Sequence, residues 1–458
     1  MRFNGVVAAS RYGLTLSPLQ LRIARAGLWT VVGGVASKCL ALLASVVVAR
    51  TLGSAVFGEL GMIQITAGMF AVLGSFGLSE TGTKYVAQLR LVDPEKAGRL
   101  IGLSTLVALL TGATAAFLLA IFSDRVAAGL AAPHLSALLA CAGLLLLFGA
   151  LTAAQTGALS GLEAFREIAR INIAVAVISF PAVVGCAYYG GLRGSVAALI
   201  VTAALGAFLR FRAVRAEAVR CGIRIDYDVV RSDLPILWRF SLPAVLTGIL
   251  VTPTYWVCNA IIVNQPGGYA ELGVFNAASA WRSAILFLPA ILGPLLLPFS
   301  SSLMSEGRAD ESMRLFRIGF ALNTGIAAVL ALLVIILADS IMSIYGPEFA
   351  SANRLLVLLA ILAVVMSATG SIWNTLMGWG CVWSPFVVSL VWSAAMIAGT
   401  WLLRDLGSEG LAWSSLAAHL LQLAGYLVCA CLLVRRLAGA PMSKTRRSLE
   451  RPALYSER

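Results

Sequence analysis

Gly27-Leu-Trp-Thr-Val-Val-Gly-Gly-Val-Ala-Ser-Lys38-Cys-Leu-Ala-Leu-Leu-Ala-Ser-Val-Val-Val-Ala49 is an apolar run followed at once by Arg50-Thr-Leu-Gly53-Ser-Ala-Val-Phe57-Gly58-Glu59-Leu60-Gly61. A bilayer core takes about 20 helical residues, so the run crosses it once. Its single charge, Lys38, sits at the midpoint. At about 1.5 Å per residue the lysine lies on the order of 16 Å from either end, too far for its side chain to reach the headgroups, so it needs a polar partner inside the protein. The run is longer than the apolar core of a signal peptide and reads as a permanent span.

The rest of the chain has the same character. Its 458 residues are 60% hydrophobic and 12% charged, with a mean hydropathy of +0.91, far above ordinary globular composition; this is a polytopic membrane protein. The net charge of +13 is not a nucleic-acid signal, because the basic residues fall in short segments between apolar runs. The eight cysteines form neither Cys-x-x-Cys pairs nor Cys/His metal spacings. Most lie inside apolar runs and read as small packing residues, and no cofactor is expected.

Twelve runs are legible, at about Gly27 to Ala49, Leu60 to Leu78, Leu100 to Phe122, Leu135 to Thr156, Ile171 to Tyr189 and Ser195 to Leu209, then Phe240 to Val263, Val274 to Phe299, Ile318 to Ala338, Leu355 to Met377, Phe386 to Leu403 and Leu411 to Val434. With the N-terminus cytoplasmic, the inner segments carry 27 Lys and Arg and the outer ones five (Arg50, Arg125, Arg193, Arg354 and Arg404), which assigns both termini to the cytoplasm. Only Lys38 and Arg282 are left for the membrane. The outer loops, the longest near Ser123 to His134 and Asp339 to Arg354, leave no room for an extramembrane catalytic domain. Ahead of the third run, Asp93-Pro94-Glu95 has the order of a helix N-cap, a first-turn proline and an early carboxylate.

The charged break at 210–239 divides the chain into halves that resemble each other. Phe57-Gly58-Glu59-Leu60-Gly61 returns as Tyr269-Ala270-Glu271-Leu272-Gly273, displaced by 212 residues, and the same displacement carries the start of each early run to within about ten residues of a later one. Six spans per half keep both halves in one orientation, the condition for a parallel repeat with a substrate site near the midplane between them. The expected fold is all-α integral membrane, with twelve transmembrane helices in two parallel-repeat six-helix lobes. It comprises a cytoplasmic segment 1–26, an N-lobe 27–209, a linker 210–239, a C-lobe 240–434 and a basic tail 435–458.

Chemistry has to come from the few polar residues inside these spans. Gly34, Lys38, Ala41 and Ser45 share a small and polar face of span 1, with Thr30 and Ser37 close by. Arg282 lies on span 8, with Ser279 and Asn276 within two turns before it. A central cation costs about 2.5 to 3.5 kcal/mol on insertion scales, and no Asp or Glu lies mid-span to neutralise either one. The expected counter-charge is therefore that of a ligand; the competing reading is that each cation binds freed backbone carbonyls or lines a wet crevice. Thr252-Pro253-Thr254 in span 7 and Pro289, Pro294 and Pro298 in span 8 are places where a helix loses a hydrogen bond and bends. Together with Asn259 they mark spans 7 and 8 as candidate moving parts. Asn374, beside Trp373 near the inner end of span 10, suits a sugar hydroxyl, although an interfacial tryptophan is more often an anchor. Glu59 and Glu271 stand ahead of spans 2 and 8, where a carboxylate suits the helix dipole, and their repetition favours a structural role. His134 and His419 read as unpaired.

Ala49-Arg-Thr-Leu-Gly53-Ser-Ala-Val-Phe57-Gly58, together with Gly161-Leu-Glu-Ala-Phe165-Arg166 after span 4, resembles the polysaccharide flippases of the multidrug/oligosaccharidyl-lipid/polysaccharide exporter superfamily. These motifs are short; the twelve spans in two halves extend the resemblance over nearly the whole chain. It implies a non-enzymatic transporter of the bacterial cytoplasmic membrane. Such a protein moves an undecaprenyl-diphosphate-linked oligosaccharide from the cytoplasmic to the periplasmic leaflet by alternating access, alongside a glycan polymerase and export machinery. Lys38 and Arg282 stand on the two spans where the resemblance implies cationic cavity residues for the diphosphate, and Asn259, Asn276 and Asn374 complete the expected substrate-binding set. Related drug antiporters couple to Na⁺ or H⁺ through membrane carboxylates, which this chain lacks in mid-span. A cation-coupled multidrug antiporter is the alternative function, and the short outer loops argue against a glycan polymerase.

The charge distribution makes a direct prediction about topology. In an otherwise cysteine-free variant, a cysteine placed in 210–239 is expected to resist a membrane-impermeant maleimide added from the periplasmic side, whereas one placed between Asp339 and Arg354 is labelled; the reverse pattern refutes the orientation.

Overall fold

The structure, a computed structural model, describes residues 18–75, 78–227, 250–292, 308–379, 381 and 383–439. Among these residues there is no strand. The helices are α1 (Pro18–Ser75), α2 (Leu78–Leu89), α3 (Pro94–Gly129), α4 (Ser136–Gly161), α5 (Phe165–Arg220), α6 (Leu250–Val263), α7 (Gly268–Ile285), α8 (Ala309–Ile336), α9 (Ala338–Tyr345), α10 (Asn353–Gly378), α11 (Trp383–Leu402) and α12 (Gly407–Gly439). Eight helices among the described residues are long and apolar enough to cross a membrane.

Two of them are too long for one crossing. α1 has 58 residues and α5 has 56, against about 20 for a bilayer core, and each bends once at a glycine. Gly53 adopts φ 78°, ψ 168° and Gly191 φ 55°, ψ −136°, backbone conformations that residues with a Cβ avoid. Hydroxyls take up carbonyls around each bend: Thr51 Oγ1 donates to the Val47 carbonyl at 2.7 Å, and Ser195 Oγ to the Gly191 carbonyl at 2.9 Å. The breaks expected between runs 1 and 2 and between runs 5 and 6 thus fall at these two glycines, where one helix passes into the next without an intervening loop. The expected N-lobe end at residue 209 also falls inside a helix. α5 runs on to Arg220 because no Gly or Pro interrupts it before Gly222, and Glu217 pairs with Arg220 at 2.6 Å across one turn.

Other expectations meet the structure one by one. The Asp93 carboxylate accepts the Lys96 N–H at 3.0 Å, with Pro94 opening α3, as an N-cap requires. Of the cysteines only Cys258 is buried, so the packing role applies to it, whereas Cys39, Cys141, Cys186, Cys221 and Cys431 are exposed. The linker from 228 to 239, the start of the seventh run up to Ile249, and Pro294 and Pro298 lie outside the described residues.

The helices pack as two groups. α1, α3, α4 and α5 surround Val48, Leu60, Leu135, Leu139, Ala142 and Val196. α7, α8, α10, α11 and α12 surround Phe275, Tyr345, Leu356, Leu359, Trp392 and Met396, a core that also takes in Ala49, Met62 and Leu130 from the first group. Large apolar side chains such as Phe117, Ile121, Val177, Val329 and Leu332 are exposed on the outside, as a hydrocarbon surround permits.

The groups are joined where α7 crosses α1 just beyond its bend. A Cβ on Gly58 would lie 1.9 Å from the Tyr269 carbonyl oxygen, and a Cβ on Gly273 would lie 1.9 Å from the Ser54 carbonyl oxygen, so the two copies of the repeat meet backbone to backbone and reciprocally. Glu348 accepts the Ser54 N–H at 2.7 Å, the Tyr269 hydroxyl donates to the Leu130 carbonyl at 2.9 Å, and Asn264 Nδ2 donates to the Gly129 carbonyl at 3.0 Å. Glu59 and Glu271 each fasten a later helix in their own group. Glu59 meets His134 at 2.8 Å just before α4, and Glu271 accepts the Ser408 N–H at 2.8 Å and its hydroxyl at 2.6 Å at the start of α12.

Two predictions follow from this end of the molecule. A Cβ on Gly53 meets nothing nearer than Glu348 Oε2 at 3.5 Å, so the cost of Gly53→Ala is conformational. It is expected to lower stability by about 1–3 kcal/mol, measured by denaturant unfolding, with no such loss for Gly185→Ala. The hydroxyl and N–H of Ser54 hold the Glu348 carboxyl below its ordinary value. Its share of the closure is complete above the ordinary carboxylate pKa and disappears as pH falls through the lowered one. Spin-label distances across this contact should lengthen on acidification, and Glu348→Gln should remove that pH dependence.

Candidate functional site

Lys38 and Arg282 sit on the two helices that form the seam. Gly34, one turn before Lys38, lies so close to α7's continuation that a Cβ there would be 2.3 Å from the Phe287 ring. Lys38 itself is half-buried and has no hydrogen bond or ion pair among the described residues. On α7, Asn276 Nδ2 occupies the space a Cβ on Gly61 would take, 1.9 Å away, and is buried without an acceptor. Ser279 Oγ, one turn further, is likewise buried and unpartnered. Arg282 holds its guanidinium 5.9 Å from the Phe275 ring centroid with Nη1 buried and unpartnered, close enough to Tyr255 and His419 to act on both electrostatically. Its neighbour Trp281 donates Nε1–H to the Tyr345 hydroxyl at 3.2 Å.

The remaining candidates are dispersed. Asn259 on α6 is buried, its Nδ2 donating to the Tyr255 carbonyl at 2.7 Å while Oδ1 has no partner. Asn374 on α10 is half-buried. The histidines, expected to be unpaired, are engaged: His134 binds Glu59, and buried His419 donates Nδ1–H to the Ser415 carbonyl at 2.7 Å and accepts the Tyr255 hydroxyl at Nε2 at 3.5 Å. No group of three or more His, Cys, Asp or Glu among the described residues is placed to hold a metal.

Two cavities of similar size open within the helix groups. One, of about 460 Å³ between α1 and α5, has Ser37, Ser45, Gln64, Asn172, Ser179 and Arg210 as its polar lining. The other, of about 420 Å³ among α6, α10, α11 and α12, is lined by Thr369, Trp373, Ser389, His419, Gln422 and Tyr426 among others. None of the five sequence candidates lines either of these two cavities.

Two residues make contacts that the local sequence does not specify. Arg210, assigned to a cytoplasmic segment, lies inside α5 and donates Nη2–H to Asn172 Oδ1 at 2.6 Å and Nη1–H to the Gly206 carbonyl at 3.2 Å, with Nε buried and unpartnered. The signal was present in Phe208-Leu209-Arg210-Phe211, apolar on both sides of the charge. Trp373, for which the sequence allows a sugar contact or an interfacial anchor, faces Tyr426 at 5.9 Å between ring centroids. The Tyr426 hydroxyl in turn meets Ser389 Oγ at 2.8 Å and accepts from Gln422 Nε2 at 3.2 Å.

Comparison with known proteins agrees with this architecture. The chain is 27% identical over 395 residues, 83% of its own length and 88% of the relative's, to the EPS I polysaccharide export inner membrane protein EpsE of Ralstonia nicotianae, and 26% identical to the protein of the same name from Ralstonia solanacearum, with the same coverage. Its fold matches that of a multidrug resistance MATE family transporter of the MOP superfamily in an inward-facing conformation, with a TM-score of 0.72, 13% identity and coverage of 88% of this chain and 95% of that one. A family model described as polysaccharide biosynthesis protein matches residues 23–304. That match spans more than half of its length, and the chain belongs to the polysaccharide biosynthesis protein family.

Proposed function

We propose that this chain is a flippase that moves a polyprenyl-diphosphate-linked oligosaccharide from the cytoplasmic to the periplasmic leaflet of the bacterial cytoplasmic membrane, for surface polysaccharide assembly. The observation that carries the reading is Arg282, a guanidinium on the seam with a buried, unpartnered Nη1 and no ion pair among the described residues. Lys38, half-buried on the facing helix, is in the same position. A diphosphate supplies the counter-charge both lack: at an effective dielectric of about 20, a unit pair at 4 Å is worth about 4 kcal/mol before desolvation. Asn276 offers a free donor for a phosphate oxygen and Asn259 a free acceptor for a hydroxyl, with Asn374 a further contact for sugar.

The frame for transport is twelve spans in two six-helix lobes, α1 and α5 each crossing twice through their glycine bends, with both termini cytoplasmic. The lobes, 27–209 and 240–434, rock about the α1–α7 seam and open a central path alternately to each side. The bonds of Ser54, Gly129 and Leu130 to the second group support a state closed at the Gly53 end. The names of the Ralstonia relatives, export proteins of the inner membrane, support the direction of transport and a setting beside polymerase and export machinery. A cation-coupled multidrug antiporter is the second reading, favoured by the fold it shares with a MATE transporter; the lack of a mid-span carboxylate in the sequence leaves it without a coupling group.

The test is accumulation of cytoplasm-facing lipid-linked glycan in cells, with protein abundance measured in parallel. Lys38→Ala and Arg282→Ala are expected to cut flipping by about tenfold or more, the size of one lost charge contact. Lys38→Arg should keep part of it, since the charge survives although the fork geometry differs. Normal flipping by a well-expressed variant carrying both Lys38→Glu and Arg282→Glu would end the reading, because two anions there repel a diphosphate.

A further inference from the structure

We infer that Arg210 and Asn172 form a second oxyanion site, inside the first helix group, that takes up the diphosphate on its way to Lys38 and Arg282. The inference rests on the functional reading above for the identity of the ligand, and on separate residues for the site. Arg210 lies 19 residues beyond Gly191 on α5, roughly 28 Å along the helix, and so near the end of the bundle away from the closed Gly53 seam. Asn172 comes from the other arm of the same bent helix. Both line the cavity of about 460 Å³.

The chemistry of that cavity is one-sided. Its polar lining (Arg210, Asn172, Gln64, Ser37, Ser45 and Ser179) contains no carboxylate, so nothing in it neutralises the guanidinium. Arg210 spends two N–H groups on neutral acceptors and keeps Nε buried and unpartnered. Asn172 gives its oxygen to Arg210, which leaves its NH₂ with no acceptor among the described residues and free to donate beside the guanidinium. A guanidinium fork flanked by an amide donor is the arrangement that binds a phosphate-type oxyanion.

Packing alone does not ask for this charge. The arm of α5 that carries Arg210 opens at Gly191 (φ 55°, ψ −136°) and α12 opens at Gly407 (φ 56°, ψ −130°); the residue 19 beyond Gly407, as Arg210 is 19 beyond Gly191, is Tyr426, which lines the cavity of the second group. The corresponding place in the second half is therefore filled by a neutral phenol, and the cation is a property of the first half only.

The test uses the full chain in phosphatidylcholine nanodiscs, with geranylgeranyl diphosphate as probe and inorganic pyrophosphate and phosphatidylglycerol as competitors. Arg210→Gln, which removes the charge and keeps a hydrogen-bonding amide, should weaken probe binding at least tenfold without moving the thermal unfolding midpoint, and Arg210→Lys should recover part of it. Pyrophosphate should compete in the wild type and phosphatidylglycerol should not. Wild-type affinity in Arg210→Gln, or equal competition by phosphatidylglycerol, overturns the site. A variant with both Lys38→Gln and Arg282→Gln separates the two readings. If it loses all binding while Arg210→Gln loses none, the Arg210 site falls and the seam site stands; if it retains binding that Arg210→Gln then abolishes, the Arg210 site stands alone. No binding of the probe by the wild type removes both.

Discussion

The close crossing of α1 and α7 at Gly58 and Gly273 is the contact on which the arrangement of the molecule depends. In hydrocarbon there is little hydrophobic gain from bringing two helices together, so association rests on dispersion between close surfaces and on hydrogen bonds. Two glycines remove the side chains that would hold the backbones apart, each admitting a carbonyl of the other helix into the vacant space. The contact is mutual, although the two glycines stand at different places in the repeated segment. It also sets the register of the whole seam: further along, Asn276 is seated against Gly61 and Phe287 against Gly34, which puts Arg282 and Lys38 on the helices that face each other.

A low-dielectric interior then decides what these helices can carry. A buried cation there is tolerated only with a counter-charge, hydrogen-bond acceptors or water, and Lys38, Arg210 and Arg282 have no ion pair among the described residues. The acidic residues of the protein do other work. Glu59, Glu271 and Glu348 fasten helix starts and close the Gly53 end, and Glu167, Glu217 and Glu311 pair with arginines one turn away at exposed surfaces, where such pairs add little. Positive charge is left for the seam and the first cavity, while the second cavity has aromatic and neutral polar walls in Trp373, Tyr426, Ser389 and Gln422. That asymmetry suits an amphiphile with an anionic link and a glycan.

Much of this was legible in the chain before any coordinates. Apolar run length, the Asp93 cap and the displacement of Phe57-Gly58-Glu59-Leu60-Gly61 by 212 residues are local or additive properties, and the helical membrane fold follows from them. Charge counting registers Arg210 only as a basic residue at a run's end; that it lines a cavity beside Asn172 depends on how the two arms of α5 pack. The ring partner of Trp373, Tyr426, is out of reach of local reading for the same reason, being more than fifty residues away.

By itself, then, the sequence determined that the chain is a bundle of membrane helices with unneutralised cations among them: hydropathy and charge are summed along the chain and need no knowledge of neighbours. Only the tertiary structure decided which polar groups are left without partners, that the breaks after runs 1 and 5 are made at the single residues Gly53 and Gly191, that Glu59 and Glu271 fasten α4 and α12, and that Asn172 stands beside Arg210. Those outcomes depend on contacts between residues distant in sequence, and whether a donor is satisfied is settled by the geometry of packed helices.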